Sequence, residues 1–467
     1  MPISLRTGVT TVGRRRQIAV AITTAVIAGI QRSGAFVVPS ALSTATAASA
    51  RRANHAHGHG LTMSSPVGPE ERVVIIGGGI VGASTAYHLA LRGIKSVVVE
   101  RAAIAAAASG KAGGFLAGGW GSGPTVRMHE IGFAMHEELA DTLGVTSYRK
   151  IPTLQVNGAR KGSSPAAWLD GKATGSMMDP DTAQVTPLEL TTKLMEAAKA
   201  RGAEVLIATV AGVSSAPVEP PSDEAKEESK KGGGGKEEGG RRITAVVLED
   251  GGEIPCDRVI VAMGPWSCLA EEWFNIPVPM QGIKSTSIVF KGSQAVADDP
   301  YALFCAEDRN GCHLEVYPRP TGEVYLCGLG NSDYVDPPRL KAGGDCEKPE
   351  NISPDPLRVT AATKSFKGLT SLGNEPAAVS QACMRPCPPD GLPIMGEVPG
   401  ISGAYISAGH NCWGILWGPV TGLLMAELLV DGKASTVDIN PFSPTRFMQR
   451  AGRSRGGRDE SDDITQW

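Results

Sequence analysis

The hydrophobic pattern of the chain becomes regular at residues 73–100, where two short apolar runs flank one amphipathic stretch. Val73–Ile76 are continuously apolar, as in a parallel strand that is buried on both faces. Ala83–Arg92 has the spacing of a helix with one apolar face, and Gly93 follows it. Val97–Val99 form the next apolar run. The pattern therefore predicts a strand, a helix and a second parallel strand.

A similar order returns near the end of the chain. Ala404–Ala408 predicts a short buried strand, Gly409–Gly418 a loop punctuated by glycine, and Val420–Leu429 an apolar-faced helix. Ser285–Phe290 and Glu323–Gly328 have the composition of strands in a mixed sheet. At 467 residues, the chain suits one large or two interleaved α/β domains.

The turn after the first strand has the spacing G-x-G-x-x-G, formed by Gly77, Gly79 and Gly82. In this motif the first glycine turns the chain, the second lets the backbone approach a pyrophosphate, and the third packs helix against strand. The helix dipole then faces the phosphates. Glu100 ends the second strand, where it is placed to accept hydrogen bonds from ribose hydroxyls and to repel a 2′-phosphate. These features predict an ADP-binding corner and disfavour NADP.

A second glycine-rich segment, Ser109–Trp120 with the sequence SGKAGGFLAGGW, separates FAD from NAD. A nicotinamide dehydrogenase would continue directly to its third strand. This segment instead suits an extended cofactor that the chain wraps along its length. The sequence therefore favours FAD.

With these motifs the sequence resembles the D-amino-acid oxidase-like superfamily of FAD-dependent oxidoreductases, which includes glycine oxidase and sarcosine oxidase. Within it, SGKAGGFLA resembles a branch of uncharacterised fungal, plant and algal members. The resemblance runs from Arg72 to Phe447. Further segments that carry it are Gln184–Val213, Cys256–Ser267, Met384–Gly400, Ala408–Leu429 and Asp438–Phe447.

The resemblance implies an α/β architecture in which a Rossmann-like FAD-binding domain of the glutathione-reductase-2 type is interleaved with a mixed-sheet substrate domain. The FAD-binding domain would take residues 70–145, 185–275 and 396–450, and the substrate domain residues 146–184 and 276–395. The final glycine loop and helix would stabilise negative charge on the flavin ring. The residues expected to bind the cofactor are Gly77, Gly79, Ile80, Val81, Gly82, Glu100, Arg101, Ser109, Gly110, Lys111, Gly113, Gly114, Val210, Gly264, Trp266, Gly409, Asn411, Gly414 and Ile415.

Arg385 lies in a segment that resembles the family motif R-P-x-x-x-D-G, which implies that it binds the substrate carboxylate. The alternative is a structural salt bridge to Asp390 or another acidic residue of the core. Glycine oxidase-like members carry a second arginine in the final loop, where this chain has Asn411, Cys412 and Trp413. Trp413 and Trp417 instead suggest an aromatic-lined site or an apolar core.

Two cysteines stand at positions that bear on redox chemistry. Cys383 matches, by its spacing to Asp390, the cysteine that tethers flavin covalently in sarcosine oxidase-like members, with a buried thiol as the favoured alternative. A lysine that assists oxygen reduction in those members is replaced by Leu326 or Cys327. The electron acceptor, oxygen or another compound, is therefore left open.

The resemblance implies oxidation of a C–N bond of an amino acid or secondary amine, with hydride transfer to flavin N5. A flavin dehydrogenase of a hydroxy acid is one alternative, and a flavoprotein serving trafficking or assembly with little catalysis is another. Beyond residue 69 the chain has 38 basic and 48 acidic residues, which argues against nucleic-acid binding. The nine scattered cysteines include no CxxC pair, so we expect free thiols and no metal site.

Residues 1–69 have the composition of a bipartite targeting leader. They contain seven arginines and no lysine, aspartate or glutamate. Ile18–Ile30 suits a signal-peptide core, and a Ser/Thr/Ala-rich transit segment begins near Phe36. This favours import into a plastid, with the mitochondrion and secretion as alternatives, and no stable membrane span in the mature chain. Two further segments are expected to be disordered or mobile, the low-complexity insertion Ser214–Arg242 and the tail 452–467.

Overall fold

The computed structural model describes residues 65–68, 70–159, 161–218 and 240–451. The strands are β1 (Val73–Ile76), β2 (Ser96–Glu100), β3 (Phe115–Ala117), β4 (Arg149–Asn157), β5 (Thr174–Gln184), β6 (Glu204–Ile207), β7 (Val210–Pro217), β8 (Arg241–Leu248), β9 (Glu253–Pro255), β10 (Arg258–Val261), β11 (Gln281–Phe290), β12 (Ala302–Cys305), β13 (Glu315–Pro318), β14 (Val324–Cys327), β15 (Asp333–Val335), β16 (Ala377–Cys387), β17 (Ile394–Glu397), β18 (Ile401–Ser402) and β19 (Ala404–Ala408). The α-helices are α1 (Ile80–Leu91), α2 (Ala108–Lys111), α3 (Val126–Leu143), α4 (Pro187–Lys199), α5 (Ala270–Phe274), α6 (Gln294–Asp298), α7 (Pro337–Leu340), α8 (Pro356–Leu369), α9 (Gly414–Asp431) and α10 (Thr445–Ala451).

The first sheet has the strand order β17-β19-β10-β1-β2-β6 and is parallel except for β17, which runs antiparallel to β19. Strand β1 lies at its centre. Val73 and Ile75 pack into the same apolar cluster as helices α1, α4 and α9, whereas Val74 and Ile76 pack with Ile243 on the opposite face. Both faces of β1 are covered by other elements, which is why its sequence is continuously apolar.

The predicted strand-helix-strand unit is confirmed, with boundaries that differ by a few residues. Helix α1 begins at Ile80 rather than Ala83, because Gly79 is extended and already serves as the residue before the first turn. Strand β2 likewise covers Ser96–Glu100 rather than Val97–Val99, because it pairs along its whole length with neighbouring strands.

The loop predicted at Gly409–Gly418 is wrong in its second half, since helix α9 begins at Gly414. Gly418 is needed for packing, because a Cβ there would lie 2.5 Å from a side-chain carbon of Ile80 in α1. Pro419 lacks the N–H that would bond to the carbonyl of Ile415. That carbonyl instead accepts a hydrogen bond from Nε2 of His136, at 2.9 Å. Both residues that resemble helix breakers therefore have tertiary roles.

The second sheet is mixed and has the order β15-β11-β14-β13-β12-β4-β5-β3, with β16 also pairing with β11. The runs predicted as strands form β11 and β14, which pair antiparallel with Ile288 opposite Leu326. Strand β4 runs parallel to β12. Helix α8 covers one face, where the rings of Phe366 and Phe290 lie 4.9 Å apart between centroids. A mainly parallel sheet and a mixed sheet in one chain agree with the predicted α/β class.

The predicted division into domains differs from the sheets at two short segments. Strand β3 falls in the range assigned to the FAD-binding domain, but Phe115–Ala117 pairs with β5 in the mixed sheet. Strand β17 begins inside the range assigned to the substrate domain, but pairs with β19 in the first sheet. Both segments are too short for their sheet to be read from the sequence.

A third sheet, of order β18-β8-β7 with β9 on β8, corrects the ends of the predicted insertion. Ser214–Pro217 belong to β7 and Arg241–Arg242 to β8, and the two strands pair as far as Pro217 opposite Arg241. The polar sequence concealed this because the strands are held by backbone hydrogen bonds. Residues 219–239 and the predicted tail 452–467 lie outside the described residues.

The last residues of the predicted leader pack against the folded domain. Val67 is buried, and its backbone N–H donates to the carbonyl of Leu429 at 2.7 Å. Nη2 of Arg258 donates to the carbonyl of Ser65 at 2.8 Å. Residues within 65–68 therefore contact the fold although they lie within the predicted leader, and the end of the leader at residue 69 stays a prediction. Residues 1–64 lie outside the described residues, so the leader and its plastid destination stay predictions.

One described helical stretch, Asn411–Asp431, is long and apolar enough to cross a membrane by length and composition. However, 78% of its most apolar window is buried inside the protein, as in the core helix of a globular fold. It packs against α1 and α3. The part of the chain that the structure describes therefore contains no strong membrane span.

Candidate active site

One large cavity extends from the turn after β1 to the face of the mixed sheet, and the final loop Gly409–Ile415 lines it as well. The ends of β1, β2 and β10 contribute to one part of the wall, and β11, β13, β14 and β16 to another. Ligands of open parallel sheets bind beyond the carboxyl ends of the strands. The cavity lies at such an edge, which makes it the candidate site.

The turn after β1 is shaped by the close approach of two backbone segments. Gly77 has a φ of +111°, and a Cβ at this position would lie 2.4 Å from the carbonyl oxygen of Ala262. A Cβ on Gly82 would lie 2.0 Å from the carbonyl oxygen of Gly77. The motif therefore has its expected geometry, since helix α1 can approach the turn only where side chains are missing.

The acidic residue at the end of β2 is held in place by backbone donors. The N–H of Gly78 donates to Oε2 of Glu100 at 2.7 Å, and the N–H of Ala102 donates to Oε1 at 3.0 Å. A carboxylate has about four acceptor sites, so lone pairs remain for ribose hydroxyls. Ser109 also reaches this corner, where its Oγ accepts from the N–H of Ile80 at 2.9 Å.

At the other end of the cavity, two buried polar atoms have no hydrogen-bond partner among the described residues. They are Oδ1 of Asn411 and Oγ of Ser407. Both residues line the cavity. Asn411 also has a φ of +47°, a conformation that is uncommon for a side chain other than glycine. Buried polar atoms are normally paired, so these two indicate a polar ligand at this end.

Sixteen of the nineteen residues predicted to bind the cofactor line the cavity. Those that line it are Gly77, Gly79, Ile80, Val81, Glu100, Arg101, Ser109, Gly113, Gly114, Val210, Gly264, Trp266, Gly409, Asn411, Gly414 and Ile415. Gly82, Gly110 and Lys111 do not line it.

These three residues act on the shape of the wall instead. Gly82 allows α1 to approach the phosphate turn. A Cβ on Gly110 would lie 2.2 Å from the carbonyl oxygen of Ala105, so only glycine fits that turn. The carbonyl of Lys111 accepts from Oη of Tyr325 at 3.1 Å and from Nε2 of Gln381 at 2.9 Å. These bonds tie α2 to the mixed sheet.

Arg385 lines the cavity from strand β16, opposite Ile283 of β11. The alternative predicted for it, a salt bridge to Asp390, is wrong. Asp390 pairs with Arg446, whose Nε and Nη2 donate to its two oxygens at 2.8 and 3.2 Å. Among the described residues, no carboxylate forms an ion pair with Arg385. Its positive charge therefore faces the cavity without an acidic partner.

The sequence did not predict an aromatic cluster on the mixed-sheet side. Phe115, Trp120, Phe304 and Tyr317 all line the cavity. Phe115 is stacked on Tyr317 at 5.2 Å, and both Phe115 and Trp120 lie 5.2 Å from Phe304 between ring centroids. The residues come from three separate strands and one turn. Only the alternation of side chains between the two faces of each strand could have indicated that these rings share one face.

The two tryptophans of the final segment have different environments. Trp413 lines the cavity, and its ring centroid lies 6.3 Å from that of Trp120. Trp417 is buried in the core, where its Nε1 donates to Nδ1 of His129 at 3.2 Å. The suggested aromatic lining is therefore formed by Trp413 and not by Trp417.

All nine cysteines are free, and several stand at the cavity. Burial raises the pKa of Cys383, and Arg385 and Lys111 oppose that increase. Burial also raises the pKa of Cys327 well above its usual range. These thiols are therefore protonated at neutral pH, and a covalent link between FAD and Cys383 stays a prediction. In the described part of the chain, no group of three or more His, Cys, Asp and Glu side chains suits a metal.

The assignment of the chain to a family rests on most of its length and not on the cavity alone. Residues 72–428 match the family model described as DAO, FAD dependent oxidoreductase. The chain belongs to that family, and it is an FAD-dependent oxidoreductase with FAD as its cofactor. The backbone cradle at Gly77, the held carboxylate of Glu100 and the unpaired polar atoms of Ser407 and Asn411 fit this cofactor.

Among its relatives, the chain is similar to glycine oxidase from Geobacillus kaustophilus. The two are 25% identical over 418 residues, which cover 81% of this chain and 98% of that protein. It is also similar to a Schizosaccharomyces pombe protein named as an oxidoreductase, with 26% identity over 396 residues, 80% of this chain and 97% of the other. These relatives confirm the predicted membership of the superfamily, while the fungal, plant and algal branch stays a prediction.

Solved structures show the same fold. L-amino acid deaminase from Proteus vulgaris superposes with a TM-score of 0.64 at 19% identity, covering 82% of this chain and 98% of that one. L-proline dehydrogenase from P. horikoshii gives a TM-score of 0.63 at 19% identity, covering 81% and 98%. The predicted fold class is thereby confirmed, and the family model confirms the predicted cofactor.

The helix that supports the final loop is held by two buried, neutral histidines, and this predicts a loss of stability in mild acid. Burial lowers the pKa of His410 to about 3 and that of His136 to about 4. In the unfolded chain both have a pKa of about 6.5, so only the unfolded state takes up protons as the pH falls below this value. We expect the free energy of unfolding to fall by up to ~1.4 kcal/mol per pH unit for each histidine.

Urea unfolding at pH 7.5, 6 and 5 measures this slope. The His410→Gln variant removes one titrating group, so its stability should fall less steeply, by about one proton, across the same interval. If variant and parent lose stability in parallel, His410 is not neutral in the folded protein.

Proposed function

We propose that this protein oxidises a C–N bond of an amino acid or secondary amine, with Arg385 binding the substrate carboxylate. When bound, FAD supplies the hydride acceptor at N5. The observation that carries the proposal is the guanidinium of Arg385, which lines the cavity without an acidic partner among the described residues. Guanidinium presents paired N–H donors that match the geometry of a carboxylate.

The cavity wall supports the same proposal in two further ways. The aromatic residues Phe115, Trp120, Phe304 and Tyr317 form an apolar surface in the cavity that Arg385 also lines, which would limit the access of water to a bound amine. Arg385 extends from the long paired strand β16, so its backbone is fixed by the register with β11. A substrate held at one end by a fixed cation would have its reacting carbon restricted to a small region.

The named activities of relatives favour amino acids and amines as the substrate class. The relatives include glycine oxidases and a 4-methylaminobutanoate oxidase, and the structural neighbours include an L-proline dehydrogenase. The electron acceptor is oxygen or another compound. The position that would carry the oxygen-assisting lysine of related oxidases has Leu326 or Cys327 here, and both are uncharged.

An anaerobic screen of the purified holoprotein tests the proposal. The protein is mixed with amino acids of both configurations, N-methyl amino acids and hydroxy acids, and the flavin absorption band is followed. Bleaching by an amine, with the corresponding carbonyl compound and ammonia or alkylamine as products, is the expected result. Bleaching by hydroxy acids alone would replace this proposal with the hydroxy-acid alternative. A full flavin complement that no compound bleaches would favour the trafficking or assembly alternative.

A further inference from the structure

Besides Glu100, Arg101 and Arg385, the cavity is lined by the charged side chain of Glu315, whose role neither the family motifs nor the proposed reaction explains. Glu315 is the first residue of β13 and stands opposite Phe304 of β12 and Cys327 of β14. Residues two apart in a strand share one face, so Glu315 and Tyr317 project from the same side of the sheet. All four residues line the cavity.

The carboxylate of Glu315 has only neutral donors around it. The hydroxyl of Tyr317 donates to its Oε2, and the thiol of Cys327 donates to the same oxygen at 3.3 Å. Among the described residues, no lysine, arginine or histidine forms an ion pair with it. A partly buried carboxylate is normally paired with a cation, because removing its charge from water without a partner is costly.

Arg385 does not supply the missing cation, although its charge and that of Glu315 both influence the thiol of Cys327. Burial raises the pKa of Cys327, and Glu315 reinforces this increase while Arg385 opposes it. Both charged side chains line the cavity, and among the described residues no ion pair joins them. The cavity therefore presents a positive and a negative group that do not neutralise each other. A ligand with both charges would complement them.

The aromatic cluster adjoins the negative group. Tyr317, which donates to Glu315, is stacked on Phe115, and Phe304 is the cross-strand neighbour of Glu315. Aromatic faces attract cations, and Arg or Lys groups and alkylated ammonium groups are the usual partners. A carboxylate beside three such rings is a surface that binds a positive charge while it contacts an aliphatic stem.

We propose that Glu315, with Tyr317, Phe304 and Phe115, forms a subsite for a positively charged side chain of the substrate. Resting on the proposed function, this assigns the substrate to the amino acids that carry a second cationic group, whose carboxylate binds Arg385. The side-chain ammonium or guanidinium forms the ion pair that Glu315 lacks within the protein. A neutral side chain of the same length leaves that carboxylate desolvated and unpaired.

The competing role for Glu315 is removal of a proton from the reacting amine. In that role its loss would slow the reaction of every amine substrate, regardless of side-chain charge. In the proposed role its loss would affect only cationic substrates. The two are therefore separated by comparing substrate pairs that differ in charge and little in shape.

The experiment uses the purified holoprotein with two matched pairs, lysine with norleucine and arginine with citrulline, each in both configurations. Dissociation constants are read from the change in flavin absorption on titration, and rate constants from anaerobic bleaching. Binding to the parent protein should be at least about tenfold tighter for each cationic member, and Glu315→Gln should reduce the preference to within about threefold. Glu315→Asp keeps the charge and should retain part of the preference.

Glu375→Gln is the matched control, because Glu375 is exposed and distant in sequence from every strand that lines the subsite. It removes the same charge and should leave the preference unchanged. Equal binding of the charged and neutral members by the parent protein overturns the proposal, as does an equal slowing of both members in Glu315→Gln. Charge-dependent spectral changes without bleaching would instead uphold the cationic subsite and refute the proposed amine oxidation.

Discussion

Purified Gly82→Ala protein is expected to contain little FAD and to unfold at a lower temperature than the parent. Alanine is the better helix former by ~1 kcal/mol, so intrinsic propensity alone predicts a gain in stability. The structure reverses the sign. A Cβ on Gly82 would lie 2.0 Å from the carbonyl oxygen of Gly77, and a backbone oxygen cannot move away by changing rotamer. Helix α1 or the phosphate turn must shift.

The expected size of the effect follows from that overlap. Forcing one methyl group into a closed contact costs ~1–3 kcal/mol of stability. The displaced turn should weaken FAD binding by at least about tenfold, because pyrophosphate binding depends on the close approach of the backbone. The FAD content is measured by absorption after purification, and the affinity by titrating the apoprotein with FAD while flavin fluorescence is followed.

Gly368→Ala provides the control for a helical glycine. Gly368 lies in α8, and a Cβ there meets nothing within 4 Å. This variant should bind FAD as the parent does and melt at the same or a slightly higher temperature. If Gly82→Ala behaves in the same way as Gly368→Ala, the close contact between α1 and the turn is not what forms the FAD site.

The second large effect is expected for Arg385→Met, which should reduce kcat/KM for an amino-acid substrate by about 10²–10³-fold. The substitution removes the charge that faces the cavity and keeps an apolar stem of similar length. Because no acidic side chain of the described residues pairs with Arg385, its removal leaves no unpaired carboxylate in the protein. Folding and FAD content should therefore be retained, and the loss should appear in catalysis.

Arg385→Lys tests the geometry as well as the charge. Lysine presents a point charge and not a planar pair of donors, so it should recover only part of the activity. Arg127→Met serves as the control, since Arg127 is exposed and pairs only with Glu130 one turn away. An Arg385→Met protein with parental kcat/KM would show that the carboxylate binds elsewhere. An unchanged response to a substrate amine without a carboxylate would support the assigned role.

The residues that the sequence located correctly belong to one continuous stretch or to a motif with fixed spacing. The strand-helix-strand unit and its glycines depend on local rules. A strand buried on both faces is continuously apolar, and a turn beneath a helix has room only for glycine. Glu100 was placed by the same logic, because a residue at the end of a parallel strand lies at the ligand-binding edge. The predicted FAD site is formed largely from such local elements.

The mixed-sheet side of the cavity was decided by tertiary structure. Glu315, Phe304 and Tyr317 look like ordinary strand residues in the sequence, and they come together only when β12 and β13 pair in register. The salt bridge between Asp390 and Arg446 spans 56 residues, so the sequence could not show that it would leave Arg385 without an acidic partner. Long-range pairing depends on the packing of the whole sheet, which no local pattern encodes.

The same division explains the helix that follows the final loop. By itself the sequence determined an apolar helix near the C-terminus and a glycine-rich approach to it. Only the folded protein determined that the helix begins at Gly414. Contact with Ile80 requires Gly418, and His136 donates a hydrogen bond to the carbonyl that Pro419 leaves without a helical donor. Local propensity fixes which segments are able to form elements. Contacts between distant segments fix where those elements end and which side chains meet at the site.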